Sequence, residues 1–182
     1  RHHFDFLLNE LFPKMIAESR SGGQRKLRIW SAGCSSGEEP YTIAMTVLEA
    51  FKAERGWDIK ILATDLDTEI LQKAIDGVYP TQAIVPVPKE YIPRYFIRTG
   101  DMYELNQEVK SLIAFRRLNL MDESFPMKNP FDIIFCRNVI IYFDAQTKDA
   151  LLAKYHKYLK DGGYMFIGHS ESLMHTKDSF RY

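Results

Sequence analysis

Cysteine is scarce in this sequence. Of 182 residues only Cys34 and Cys136 are cysteine, too few for a disulfide framework, and a reduced, cytoplasmic setting is the expectation. No apolar run approaches the ~18 residues that a membrane-spanning helix needs. Arg1 to Phe6 carry no signal-peptide pattern. Charge of one sign is lacking too, because 24 Lys and Arg balance 24 Asp and Glu. A protein whose main task is gripping nucleic acid clusters Lys and Arg against phosphate, so that class is disfavoured. His2, His3, His156, His169 and His175 show no ligand spacing with Cys or acids, so no metal site is expected. Internal repeats and low-complexity tracts are absent as well. What is there is ordinary globular material, 46% hydrophobic and 26% charged, enough for one domain with a substantial core.

Phe4, Leu7, Leu8, Leu11, Phe12 and Met15 recur at spacings of three and four and predict an opening helix. A loop is expected over residues 19–24. Lys14, Arg20, Arg25, Lys26 and Arg28 surround it, against Glu18 alone. That stretch reads as a solvated face or as a docking surface for an acidic partner. From residue 27 strands and helices alternate. Residues 27–32 and 59–64 read as strands. Ala44, Val47, Leu48 and Phe51 mark the helix after the first, and Ile70, Leu71, Ala74 and Ile75 the helix after the second. Residues 131–136 form a continuous apolar run of the kind buried on both faces. Leu151, Leu152, Tyr155, Tyr158 and Leu159 mark a further helix, expected to end on a cap at Asp161, Gly162 and Gly163. Residues 164–168 form the next strand. This alternation predicts an α/β fold, a mostly parallel, Rossmann-like sheet covered by helices. Residues 79–117 break the rhythm with Pro80, Pro86, Pro88 and Pro93 and a turn at Thr99, Gly100 and Asp101. A short helix and then an antiparallel hairpin or three-stranded insert are expected there, with residues 111–118 returning to the main sheet.

Ligands of an open α/β sheet bind beyond the C-terminal strand ends, and four loops of this chain fall there. In the first, Gly33 and Gly37 permit a tight turn and a close backbone approach to a ligand. Its pattern is neither GxGxxG nor GxxxxGK. Glu38 and Glu39 stand where a phosphate would otherwise meet the helix N-terminus, and they would repel phosphate and attract a cation. Either acid also suits the first helical turn through the helix dipole, a role that fits Glu39 better than Glu38. In the second loop Asp65 is placed to accept hydrogen bonds from a ribose diol, while Asp67 reads as a helix N-cap. In the third, Asn119 is an adenine-edge candidate with Leu120 against its face, or a plain turn residue. In the fourth, Arg137 and Asn138 follow a buried strand and need polar partners, and Tyr142 lies within reach of the same pocket. A nucleoside site without a phosphate cradle, but with acids for a cationic group, points to S-adenosylmethionine.

Residues 30–44 (WSAGCSSGEEPYTIA), 63–67 (ATDLD), 131–144 (FDIIFCRNVIIYFD) and 168–173 (GHSESL) together resemble the chemotaxis receptor glutamate methyltransferases, the CheR family. The resemblance implies a class I S-adenosylmethionine-dependent methyltransferase fold with a small antiparallel β insert at about residues 92–115. It implies residues 1–25 as an N-terminal helix and linker and 26–182 as the catalytic domain. It also implies methyl transfer from S-adenosylmethionine to glutamate side-chain carboxylates of chemoreceptors, leaving S-adenosylhomocysteine. By position, Glu38 contacts the methionine end of the cofactor and Asp65 the ribose, and Asn119 and Leu120 border the adenine. Arg137 and Asn138 close the pocket behind the Gly33 turn, and Tyr142 lines the methyl-transfer channel. Tyr142 and Arg137 are the catalytic candidates, Tyr142 orienting the substrate carboxylate and Arg137 holding the cofactor or neighbouring carboxylates. The implied partners are the cytoplasmic helical region of the receptors and a receptor tail peptide at the insert, with no nucleic acid, no membrane insertion and a monomeric state. The family's N-terminal helical domain is expected to precede this chain, and a last strand to follow it.

Three rival readings differ in class. An α/β-hydrolase would need a G-x-S-x-G elbow, but Gly168, His169, Ser170, Glu171 and Ser172 lack the final glycine, and no His follows Asp178. A methyltransferase acting on another substrate would keep the fold and cofactor. A non-catalytic module would bind S-adenosylmethionine or a signalling partner and transfer nothing. Cys34 and Cys136, at strand ends, read as small buried residues and not as nucleophiles.

Overall fold

The computed structural model describes residues 2–168. Of the GHSESL motif only Gly168 is among them, and Asp178 lies outside them, as does Arg1. The opening helix is real but not uniform. Helix α1 (His2–Phe6), a π-helical turn (Leu7–Leu11) and α2 (Phe12–Arg20) follow without a break in helical backbone. Leu7, Leu11 and Phe12 are its most deeply buried residues. Helix α2 runs through Ser19 and Arg20, so the expected loop begins two residues late, and the Ser19 hydroxyl bonds the Ile16 carbonyl inside the helix. The basic stretch is partly neutralised, Arg20 pairing with Glu54 at 2.5 Å and Arg28 with Asp58.

The α/β expectation holds. Strands β1 (Lys26–Ala32), β2 (Asp58–Asp65), β6 (Ile113–Arg117), β7 (Phe131–Cys136) and β8 (Leu159–Ile167) form one sheet of order β6-β2-β1-β7-β8, all parallel. Helices α3 (Glu38–Phe51), α4 (Thr68–Asp76) and α8 (Ala145–Tyr158) cover it. Helix α4 starts on Asp67, whose carboxylate accepts from the Glu69 and Ile70 amides, as its position predicts. Strand β7 is apolar except for Asp132, and the C-terminal half of β1 is buried, because both faces of the sheet centre are covered. Leu27, Ile29, Ile133 and Phe135 point into the core under α3, and Trp30, Ala32, Ile134 and Cys136 into the core under α8. The chain builds outward from β1 through β2 to β6, then crosses to β7 and β8 on the other side. The resulting crevice between the C-terminal ends of β1 and β7 is the topological switch point.

Helix α8 stops earlier than its apolar pattern suggests. Leu159 is extended and opens β8, packing with the core under α8. Asp161, Gly162 and Gly163 are therefore not a helix cap. They lie in an irregularity of β8, where the register jumps from Phe131↔Leu159 to Ile133↔Tyr164, and Gly162 takes φ +73°. Lys160, in the same segment, reaches Asp132 at 2.6 Å.

The insert is three-stranded and antiparallel, of order β3-β5-β4. It comprises β3 (Val78–Pro80), the short helices α5 (Thr81–Ile84) and α6 (Ile92–Tyr95), and the hairpin of β4 (Phe96–Thr99) and β5 (Met102–Leu105) turning at Gly100. Short helix α7 (Gln107–Lys110) leads back to the main sheet. The insert thus starts well before residue 92, because β5 recruits Val78–Pro80 as its second neighbour, and residues 113–115 belong to β6. Among the described residues no helix is long and apolar enough to cross a membrane.

Trp30 anchors the sheet to α8. It is fully buried, touches the rings of Phe125, Phe131 and Tyr155, and donates its indole N–H to the Thr64 hydroxyl on β2 at 2.9 Å. Trp30→Ala is expected to lower the unfolding free energy by about 3–5 kcal/mol in urea denaturation, with little change in the slope.

Candidate functional site

The turn after β1 is built from strained backbone. The Gly33 and Cys34 amides both donate to the Thr64 carbonyl, at 2.8 and 2.9 Å, tying the end of β1 to β2. Gly33, Ser35 and Gly37 then take positive φ, 74°, 49° and 97°. Glycine reaches that region freely, whereas for Ser35 it costs energy that the surroundings must supply. Asp65 supplies part of it, its carboxylate accepting from the Ser35 amide at 2.8 Å and from the Asp67 amide at 3.1 Å. A Cβ on Gly33 would come within 2.4 Å of the Val139 side chain, so only glycine lets the turn close against the loop after β7.

That closure makes a crevice of about 580 Å³ at the switch point. It collects five of the residues singled out from the sequence: Gly33, Glu38, Arg137, Asn138 and Tyr142. Glu38 opens α3, and both its carboxylate oxygens accept from the Ser36 hydroxyl, at 2.9 and 2.8 Å. Asn138 sits at φ +60°, a conformation asparagine tolerates better than most residues. Tyr142 ends a 3-10 turn (Ile140–Tyr142) pinned by buried Ile140, and is 80% exposed at the crevice mouth. Asp65, Asn119 and Leu120 are not among the lining residues. They stand at the neighbouring strand ends, drawn together by the Leu118 amide donating to the Asp65 carbonyl at 2.9 Å. The Asn119 side chain accepts from the Met121 amide, and Leu120 is buried with its carbonyl held by Lys154.

Glu39 takes a larger part than the helix dipole would give it. One of its oxygens accepts from Ser31, a buried hydroxyl on β1, at 2.8 Å, and the other meets the Arg137 guanidinium at 3.2 Å. Phe4, from α1, closes the far side, lying under the Arg137 guanidinium at 5.9 Å and stacking on Phe135. Thr42, one helical turn after Glu38, completes that wall. The adjacency of Glu39 to Glu38, and the i+4 spacing of Thr42, are signals that sequence reading can use. Nothing local marks Phe4, since its place depends on the opening helix folding back over β7. A second cavity, about 530 Å³, lies by Phe51, Trp57 and Tyr95, away from the strand C-termini and from this cluster of charge.

The profile of the family described as CheR methyltransferase, SAM binding domain, matches residues 1–182. This chain belongs to the CheR methyltransferase family. A chemotaxis protein methyltransferase of Borreliella burgdorferi is 44% identical over 97% of this chain and 63% of its own length. A probable chemotaxis protein methyltransferase of Rhizobium etli is 41% identical over 94% and 65%, and the Escherichia coli chemotaxis protein methyltransferase 39% over 98% and 60%. The CheR chain thus spans about three fifths of the length of these relatives. The family's cofactor, S-adenosylmethionine, fits the crevice. The volume suits a small organic ligand. Glu38 and Glu39 suit a ligand with positive charge, and the buried Arg137 Nε–H, without an acceptor among the described residues, suits a ligand carboxylate. Among the described residues no lysine lines the crevice to cradle phosphate.

Cys34 and Cys136 are both buried and unbridged, as their strand-end positions suggest. Burial, reinforced by the nearby Asp65 carboxylate, pushes the Cys34 thiol from 9.0 up to about 12, so it is not a nucleophile at neutral pH.

Two outcomes are expected. Gly33→Ala should cost about 1–2 kcal/mol through its left-handed backbone and about 1–3 kcal/mol through overpacking against Val139. Adding Val139→Ala should return only the second part, read by urea denaturation. Separately, a thiol raised in the folded state stabilises the fold below the unfolded value near pH 9, and that contribution is lost as pH rises toward 12. Unfolding free energy should therefore fall across that window, and less steeply in Cys34→Ala.

Proposed function

We propose that this chain is the cofactor-binding and methyl-transferring core of an enzyme that esterifies glutamate side chains of chemoreceptors in the cytoplasm. One observation carries the reading: two carboxylates and an arginine paired with one of them gather in a crevice at the switch point of a CheR-family chain. S-adenosylmethionine, when bound, supplies an electrophilic methyl group on sulfur. Glu38 holds the methionine end, Asp65 the ribose, and Asn119 and Leu120 the adenine, while Gly33 and Asn138 keep the backbone close on either side. Arg137 donates its remaining Nε–H to the cofactor's carboxylate.

The substrate glutamate is already ionised at neutral pH and needs no general base, which agrees with a crevice whose thiol is held protonated. Its negative charge is lost in the transition state, so a strong cation beside it would favour the ground state. Glu39 removes that difficulty by pairing with Arg137. Tyr142, exposed at the mouth, is left to orient the incoming carboxylate by a neutral hydrogen bond. Orientation alone can be worth about 7–11 kcal/mol. The receptor's cytoplasmic helical region supplies the glutamate, a receptor tail peptide docks on the insert, and the protein acts as a monomer.

The test is to supply methyl-labelled S-adenosylmethionine to the full-length protein with receptor-bearing membranes. The label should enter the receptor and leave as methanol under mild alkali, as an ester does, and Tyr142→Phe should slow its entry about tenfold. Base-stable label would replace the glutamate reading with N-methylation. No label, despite cofactor binding, would mean a non-catalytic module.

A further inference from the structure

Two tyrosines form a clasp beside the turn after β1, one tying α3 to α4 and the other tying the turn to the insert. Tyr41, on α3, donates its hydroxyl to the Ala74 carbonyl of α4 at 2.7 Å. Tyr79, on β3 of the insert, donates to the Ser36 carbonyl at 2.7 Å. The two rings meet edge-on at 6.1 Å, and both are buried. Each hydroxyl passes over a glycine. A Cβ on Gly37 would lie 2.9 Å from the Tyr79 hydroxyl, and one on Gly77 2.7 Å from the Tyr41 hydroxyl. Both glycines also have positive φ, 97° and 60°, so side chains are unwelcome there on two counts.

The two halves of the clasp hold different things. Tyr41 secures α4, which does not line the crevice. Tyr79 secures the peptide of Ser36, and the Ser36 hydroxyl in turn donates to both carboxylate oxygens of Glu38. Glu38 is the acid that opens α3 and faces the crevice. Burial raises the Tyr79 phenol well above its usual range, and the Glu38 charge adds to the effect. Tyr79 therefore remains a neutral donor under all ordinary conditions.

We propose that Tyr79 is a positioning residue for S-adenosylmethionine, fixing through the Ser36 carbonyl the turn that aims Glu38 into the crevice. The inference rests on the cofactor reading and carries it to a residue outside the crevice, contributed by the insert. The insert's first strand is then a structural wall of the cofactor site as well as part of a separate sheet.

The test compares wild type, Tyr79→Phe and Tyr41→Phe in the full-length protein, each variant losing one buried hydrogen bond. Calorimetric titration with S-adenosylmethionine should show about fivefold weaker binding for Tyr79→Phe, with Tyr41→Phe within about twofold of wild type. Thermal unfolding should show comparable stability losses for both. Wild-type affinity in Tyr79→Phe, or parallel affinity losses in the two variants, would overturn the proposal and reduce the clasp to a fold-stabilising device. A wild-type protein that gave no binding isotherm would refute the cofactor reading. In that event the Gly37 amide, bonded to the Cys34 carbonyl at 3.0 Å, decides the clasp by hydrogen exchange. Faster exchange in Tyr79→Phe than in Tyr41→Phe supports it, and equal exchange overturns it.

Discussion

Glu39 and Arg137 meet at 3.2 Å across the gap where the sheet changes direction. The geometry of the crevice depends on that pair. Glu39 belongs to the first turn of α3, and Arg137 to the loop after β7, so the contact joins the two halves of the sheet at the place they part. Both side chains are largely buried, and each needs the other: an unpaired charge there would cost several kcal/mol. Ser31 holds the second Glu39 oxygen, and Phe4 covers the guanidinium. With its charge compensated and its orientation fixed, Arg137 keeps one buried N–H without an acceptor among the described residues. Buried donors are rarely left that way, and a ligand carboxylate answers the need.

Around this pair the backbone departs from ordinary conformations more than anywhere else among the described residues. Ser35 and Asn138 are the only non-glycine residues described with positive φ, and both line the crevice. Their strain is held by identifiable contacts, the Asp65 carboxylate on the Ser35 amide and the Gly33 turn against Val139. Asp65 thus already does structural work in the protein alone. A second carboxylate oxygen shared with the Asp67 amide leaves lone pairs for further donors such as a ribose diol.

The periodic parts of the fold were legible in the sequence, and the pairings between distant segments were not. The apolar run of β7 predicts a strand buried on both faces, residues 27–32 read as a strand, and the acids and glycines after β1 point to the site, because these signals lie within a few neighbouring residues. Helix α8 was misjudged at its end. Leu159 continues the helical apolar pattern, yet its contacts put it in β8, and the pair of glycines that imitates a helix cap accommodates a register shift instead. The insert was recognised by its prolines, but its first strand is only three residues long and is defined solely by pairing with β5. Glu39 was assigned to the helix dipole because its partner is 98 residues away. Phe4 reads as one more apolar helix position until α1 is seen to lie against β7.

Balanced composition concealed an unbalanced site. Overall the acids and bases cancel, but the crevice holds Glu38 and Glu39 against Arg137 alone. Subtracting the pair leaves one carboxylate, Glu38, at the N-terminus of α3, where the helix dipole already lowers the cost of negative charge. A cation is attracted to that carboxylate. An anion would have to displace Glu38 to gain the same helix end. The first turn of α3 therefore selects by sign before any shape is tested. The acid responsible is held in place by Ser36, so the selectivity depends on a turn whose conformation is set by Gly37, Asp65 and the insert together.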